Sequence, residues 1–129
     1  MLAKYALYGQ SKLANVLYAS QLTKNYPSIT TASIHPGVSA SGSQLTRHMG
    51  KLDRLFIKVY TTTSGLLKLD EHEMAYNLLW AATSRGKGLV SGEVYEPVGK
   101  AVQSTKLSGD EELGRKLWEW TGKELEAYV

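Results

Sequence analysis

Cysteine is absent from this 129-residue chain, which excludes disulfides, thiolate nucleophiles and cysteine-held zinc. Its histidines, His35, His48 and His72, fall at no metal-ligand spacing and read as loop or surface residues, so no metal site is expected. No stretch approaches the roughly 20 apolar residues that span a bilayer. Proline occurs only three times, and no low-complexity tract, repeat or clear linker divides the chain, so residues 1–129 are expected to belong to a single domain. The twelve glycines are scattered, and none forms a G-x-x-x-G-x-G or G-x-G-x-x-G phosphate loop. Met1-Leu2-Ala3-Lys4 leads toward Lys12 rather than into an apolar signal core, which argues against secretion and for a cytoplasmic location. Acid is scarce early: residues 1–68 hold eight Lys/Arg and only Asp53, whereas 69–129 hold seven Lys/Arg and eleven acids. A basic excess can attract anionic lipid or a phosphate-bearing ligand, so a membrane surface stays open as a partner. Arg47, Lys51, Arg54 and Lys58 taken together read first as a solvated basic face. Nucleic acid is not expected, because the basic residues are not interleaved with aromatics.

What is present is an ordinary folding composition, 43% hydrophobic, with a pointed local pattern near the start. Residues 3–25 read as a helix apolar on several sides, and between Tyr5 and Thr23 its only charge is Lys12. Tyr8 and Lys12 stand four apart, on one helical face. A free tyrosine titrates near ~10, and a fixed positive charge beside it favours the phenolate, which makes the phenol a usable proton donor or acceptor. Two amphipathic side chains snorkelling on a core helix would give the same spacing.

The blocks around this pair carry more. Tyr8-Gly9-Gln10-Ser11-Lys12-Leu13-Ala14-Asn15, Ser33-Ile34-His35-Pro36-Gly37-Val38, Ala81-Ala82-Thr83, Ser91-Gly92-Glu93-Val94-Tyr95 and Lys116-Leu117-Trp118-Glu119 follow one another in an order that resembles the short-chain dehydrogenase/reductase superfamily. The likeness is to its retinol-dehydrogenase-like and WW-domain-oxidoreductase-like members, and it spans nearly the whole chain. It implies the C-terminal half of a Rossmann-like, doubly wound parallel α/β sheet, with the N-terminal half and its phosphate loop absent. The implied activity is hydride transfer between NAD or NADP and a small-molecule alcohol or carbonyl, with a lipophilic substrate such as a retinoid or steroid. Tyr8 and Lys12 are then the catalytic pair, and Lys12 also binds the nicotinamide ribose. Pro36, Gly37 and Val38 line the nicotinamide, and Ser41, where the family often has threonine, contacts its amide. Ser11 and Asn15 are not the family's catalytic Ser and Asn. A homodimer through the Tyr/Lys helix is a further implication. The other reading is a non-catalytic remnant or interaction module of the same family.

Elsewhere the pattern is coarser. Pro27 ends the first helix, and residues 29–34 read as a strand stopped at Pro36-Gly37. Such a turn, beyond the carboxyl end of a strand, is where open α/β sheets bind ligands. Residues 55–60 read as a core-packing element or a substrate wall, and Thr61-Thr62-Thr63-Ser64-Gly65 as a break. Asp70 and Glu73 form a capping box for a helix over 71–84 whose core face is Met74, Ala75, Leu78, Leu79 and Ala82. Residues 89–97 read as a second strand, parallel to the first. Ser108 and Glu111 read as another capping box, for a helix over 109–127 with a stripe of Leu113, Leu117 and Trp120. Trp80, Trp118 and Trp120 are expected to pack.

Overall fold

Helix α1 (Leu2–Asn25) is the longest element among the described residues, and its second half carries its buried side chains, Leu17 and Gln21. The computed structural model describes residues 2–39, 50–63, 68–84 and 88–128. Along them follow β1 (Ser33–Ile34), β2 (Val38–Ser39), α2 (Lys51–Thr63), β3 (Lys68–Leu69), α3 (Glu71–Thr83), β4 (Val94–Glu96), β5 (Lys100–Val102), α4 (Glu111–Leu125) and a closing 3-10 turn, Glu126–Tyr128. The architecture is α/β. Strand β1 pairs in parallel with β4, as the alternation of helix and strand predicts, with Ser33 opposite Val94 and Ile34 opposite Tyr95. The sheet is not wholly parallel, which corrects the expectation. The turn Pro97-Val98-Gly99 folds β5 back antiparallel on β4, giving the order β1-β4-β5. Strands β2 and β3 form a separate two-stranded parallel pair. Among the described residues, no helix is long and apolar enough to cross a membrane.

Helix α3 starts as its sequence dictates. Asp70 accepts from the Glu73 N–H at 2.8 Å, and Glu73 accepts from the Asp70 N–H at 2.9 Å. Its buried face is the expected one only in part: Met74 and Ala75 are half-buried as expected. Leu78 and Leu79 are more than half exposed and Ala82 is exposed, while Asn77 is fully buried with Trp80, Ala81 and Ser84 half-buried beside it. The inward face is set by the partners that Asn77 finds on the sheet, not by the largest apolar residues.

Helix α4 likewise starts one device later than expected. Asp110, not Ser108, caps it by accepting from the Leu113 N–H at 2.9 Å. The Ser108 hydroxyl is engaged in the preceding turn, where it accepts from the Thr105 N–H at 2.8 Å. Its inward stripe is Gly114, Leu117, Trp118 and Thr121, whereas Leu113 and Trp120 face outward. Trp118 packs on Tyr18 with ring centroids 5.0 Å apart and on Tyr26 at 6.1 Å, which joins α4 to α1. Helix α2 extends into the expected break as far as Thr63, with the Thr62 and Thr63 hydroxyls donating to the carbonyls of Lys58 and Val59, four residues back; Ser64 and Gly65 lie outside the described residues. Leu55 and Val59 are exposed, so neither serves the core.

Among the described residues the buried apolar side chains are Leu17, Leu69 and, most completely, Tyr95. The Tyr95 ring lies against Trp80 at 4.9 Å, and its hydroxyl accepts from the Val90 N–H at 2.6 Å. A hydroxyl cluster closes the junction of α1, the run into β1 and the turn before β4. Thr23 meets Thr31 and, at 3.0 Å, Ser91, whose Oγ also accepts from the Thr31 N–H at 3.0 Å.

Candidate functional site

The first half of α1 carries the first cluster. Helical spacing places Lys12 one turn beyond Tyr8, and the Lys12 Nζ lies over the Tyr8 ring, 5.5 Å from its centroid. An ammonium at that distance from a phenol face is attracted by the ring quadrupole. The Ser11 hydroxyl donates to the Tyr8 carbonyl at 2.7 Å, a local bond that holds the backbone turn. Tyr8 is 49% exposed, and its hydroxyl has no hydrogen-bond partner among the described residues. The Tyr8 phenol is thus open to solvent, with the Lys12 ammonium over its ring.

The second cluster is the turn between β1 and β2. The His35 N–H donates to the Tyr95 carbonyl at 2.9 Å and completes the ladder to β4. Pro36 has no N–H to extend it. The Gly37 N–H then folds back to the His35 Nδ1 at 3.0 Å. Gly37 has φ +97°, a left-handed conformation that favours glycine, and a Cβ there would lie 2.6 Å from the Leu69 Cδ1. The turn therefore presents bare backbone at a spot where a side chain has no room. Val38 enters β2 and pairs with Lys68. Ser41, expected on the nicotinamide amide, lies outside the described residues, as do Arg47 and His48. No hydrogen bond joins the Tyr8–Lys12 pair to the Pro36–Gly37 turn among the described residues.

A nicotinamide dinucleotide is the group that the family resemblance implies. The residues present suit part of it: Lys12 and Tyr8 offer an ammonium and a hydroxyl, while the Cβ side of Gly37 is taken up by Leu69 and Pro97. They do not offer a glycine-rich cradle for its phosphates. Among the described residues no group of three His, Asp or Glu side chains could hold a metal ion.

Among the described residues two clefts lie elsewhere. One of about 550 Å³ runs between β1 and α3, lined by Thr31, Ile34, Leu78 and Ala81 among others. The other, about 320 Å³, lies between α1 and the start of α4, beside Gln21, Lys24, Ser108 and Glu111. Neither is lined by Tyr8, Lys12, Pro36 or Gly37. The charged groups with shifted titration belong to the α1–α4 surface. Hydrogen bonding and attraction to Lys24, 2.9 Å away, hold the Glu111 carboxyl below the ordinary range. Hydrogen bonding to Arg115 does the same for Glu112.

Sequence reasoning missed Asn77. Its Nδ2 donates to the carbonyls of His35 at 2.9 Å and Tyr95 at 3.2 Å, and its Oδ1 accepts from the Gly99 N–H at 2.9 Å. The signal was an amide inside the apolar run Tyr76-Asn77-Leu78-Leu79-Trp80, since a polar residue in such a run is either on the outer face or fully bonded.

Comparison with known proteins adds the family. No model of a known protein family matches the chain. It is 35% identical over 133 residues to the short-chain dehydrogenase/reductase drtF of Aspergillus calidoustus, covering 94% of this chain and 40% of that protein. A short-chain dehydrogenase/reductase of Armillaria gallica is 31% identical over 128 residues, covering 95% of this chain and 37% of the relative. Another, pkfC of Emericella nidulans, is 30% identical over 132 residues, with 95% and 38% covered. The chain thus spans about two fifths of the length of the curated relatives it matches.

Proposed function

We propose, for a chain that belongs with the short-chain dehydrogenases/reductases along nearly all its residues, that it contributes the acid-base side of a nicotinamide-dependent oxidoreductase site. The chain corresponds in this reading to the C-terminal half of a Rossmann-like domain. The observation that carries the reading is the Lys12 Nζ over the Tyr8 ring, 5.5 Å from its centroid, with the phenol oxygen unengaged among the described residues. Tyr8 passes a proton to the carbonyl oxygen in reduction, or takes one from the alcohol in oxidation. Lys12 supports that oxygen electrostatically and reaches the nicotinamide ribose. Pro36, Gly37 and Val38 face the nicotinamide, with Ser41 at its amide. NAD or NADP, when bound, supplies or accepts the hydride. The substrate is a small alcohol or carbonyl compound of lipophilic character, a class favoured by the outward apolar stripe of Leu52, Leu55 and Val59 on α2. The phosphate loop would come from residues outside this chain, so the 129 residues alone are expected to bind dinucleotide weakly.

The test uses the chain completed with the remaining portion of a relative. Tyr8→Phe cuts turnover by ~10²-fold or more, the usual scale for losing an acid-base group, and leaves dinucleotide affinity nearly unchanged. Lys12→Met lowers both. Turnover of Tyr8→Phe near that of the unchanged chain would show that the pair is packing and nothing more.

A second reading, an interaction module of the same family without catalysis, draws on the exposed apolar residues, with Leu7 at 66% and Leu52 at 78% exposure. The reading frame upstream of Met1 separates the two: a G-x-x-x-G-x-G segment there favours the enzyme.

A further inference from the structure

Asn77 is buried completely on α3, and burying a primary amide is costly unless its donors and acceptor are bonded. Its three bonds run to three different segments: His35 at the end of β1, Tyr95 in β4, and Gly99 in the turn between β4 and β5. The Tyr95 carbonyl already accepts from the His35 N–H, so the amide joins an existing bond between the two strands and locks it. His35 is also the residue whose ring accepts from the Gly37 N–H, 3.0 Å away. Both the carbonyl and the ring of the residue before Pro36 are therefore held, the first by Asn77 and the second by Gly37. On the far side, Gly99 lies against Trp80, one turn beyond Asn77, where a Cβ would come within 2.7 Å of the indole. A leucine at 77 would fill the space without any of these bonds.

We infer that Asn77 is a positioning residue: it clamps the His35-Pro36-Gly37 turn to α3, β4 and the Gly99 turn, and so sets where the Gly37 backbone stands for the nicotinamide. This rests on the reading of that turn as a cofactor wall. Asn77 itself touches neither Tyr8 nor Lys12 in the hydrogen-bond network, so it acts on the site through the turn alone.

Amide exchange in the isotope-labelled chain tests the clamp without any cofactor. In Asn77→Leu, protection at Gly37 and Gly99 falls about tenfold while helix α4 keeps its own, because the apolar side chain gives the His35 carbonyl no donor and the Gly99 N–H no acceptor. In Asn77→Asp at pH 7 the Gly99 N–H keeps its acceptor oxygen and its protection, while protection at Gly37 falls as in the Leu variant, because a carboxylate faces the two carbonyl oxygens. Protection returns in part near pH 5 or below, as the protonated acid regains one donor. A pH response confined to the Asp variant is something that mere space-filling cannot give. Protection in Asn77→Leu equal to that of the unchanged chain overturns the clamp, as does an Asp variant with no pH response. Nicotinamide mononucleotide, which lacks the part held by a phosphate loop, then tests the reading beneath it. It shifts the Gly37 amide in the unchanged chain, and about tenfold more is needed in Asn77→Leu. No shift in the unchanged chain, with the protection losses in place, overturns the cofactor wall and leaves the clamp standing.

Discussion

At the scale of single residues, glycines decide how closely segments meet. Gly114 on α4 faces the buried Gln21 of α1, and a Cβ there would lie 2.8 Å from the Gln21 Nε2. Gly122, two turns on in the same helix, has nothing within 4 Å of the same position. The pair makes a matched prediction. Gly122→Ala stabilises by up to about 1 kcal/mol, the helix-propensity gain at an open site. Gly114→Ala gains the same propensity but forces the helices apart, at a cost of about 1–3 kcal/mol typical of overpacking. Denaturant unfolding of both variants measures the difference, and equal gains in the two would show that α1 and α4 do not meet at Gly114. Asn77 teaches the complementary lesson about legibility. Tyr8 and Lys12 were legible because helical spacing alone brings their side chains together. Asn77 was not, because its three partners lie 18 to 42 residues away in sequence and no local pattern points to them.

Whole elements were legible where local chemistry fixes them. The Asp70–Glu73 capping box starts α3, Pro27 follows the end of α1, and β1 pairs with β4 in parallel. Elements were misread where tertiary contacts override local pattern. Strand β5 is three exposed residues defined only by β4, so its sequence carries no apolar alternation to find. The face of α4 turns on Gly114, which a hydrophobic periodicity does not register. The α1–α4 pairing also yields a pH prediction. Lys24 lowers the Glu111 pKa, so this bond contributes stability above the ordinary carboxylate range and loses it as pH falls through the depressed value. Both side chains are well exposed, so the contribution is small and screened by salt. Carbon-detected titration of the Glu111 carboxyl reads it directly. In Lys24→Met its pKa rises back to the ordinary range, and the acid limb of the melting curve becomes shallower at low ionic strength. A Glu111 titration that ignores Lys24→Met would mean that the two helices do not hold their ends together in solution.

For the molecule as a whole, the decisive fact is how much apolar surface and sheet edge lie uncovered. Leu7 on α1, Leu52 and Leu55 on α2 and Leu78 and Leu79 on α3 are all more than half exposed, against three buried apolar side chains among the described residues. Strand β1 is an edge of its sheet. Its ladder to β4 uses the N–H groups of Ser33 and His35, so the alternation of a strand turns those of Ala32 and Ile34 to the open side. An edge with apolar cover beside it favours pairing with another chain or another part of the same domain. The relatives run well beyond the stretch that this chain matches, and cover by such a further portion is the expectation to test. The expected behaviour follows from the two facts together. Alone, the 129 residues associate at micromolar concentration in sedimentation velocity, bind an apolar dye, and show no dinucleotide-dependent turnover. Co-expressed with the remaining portion of the Aspergillus calidoustus relative, they form a defined complex, lose the dye and protect the amides of Ala32 and Ile34 from exchange. Turnover with NAD or NADP appears only in that complex and depends on Tyr8. If the chain alone is monomeric, binds no dye and turns over substrate, then the exposed faces need no partner and the acid-base pair works without a phosphate loop.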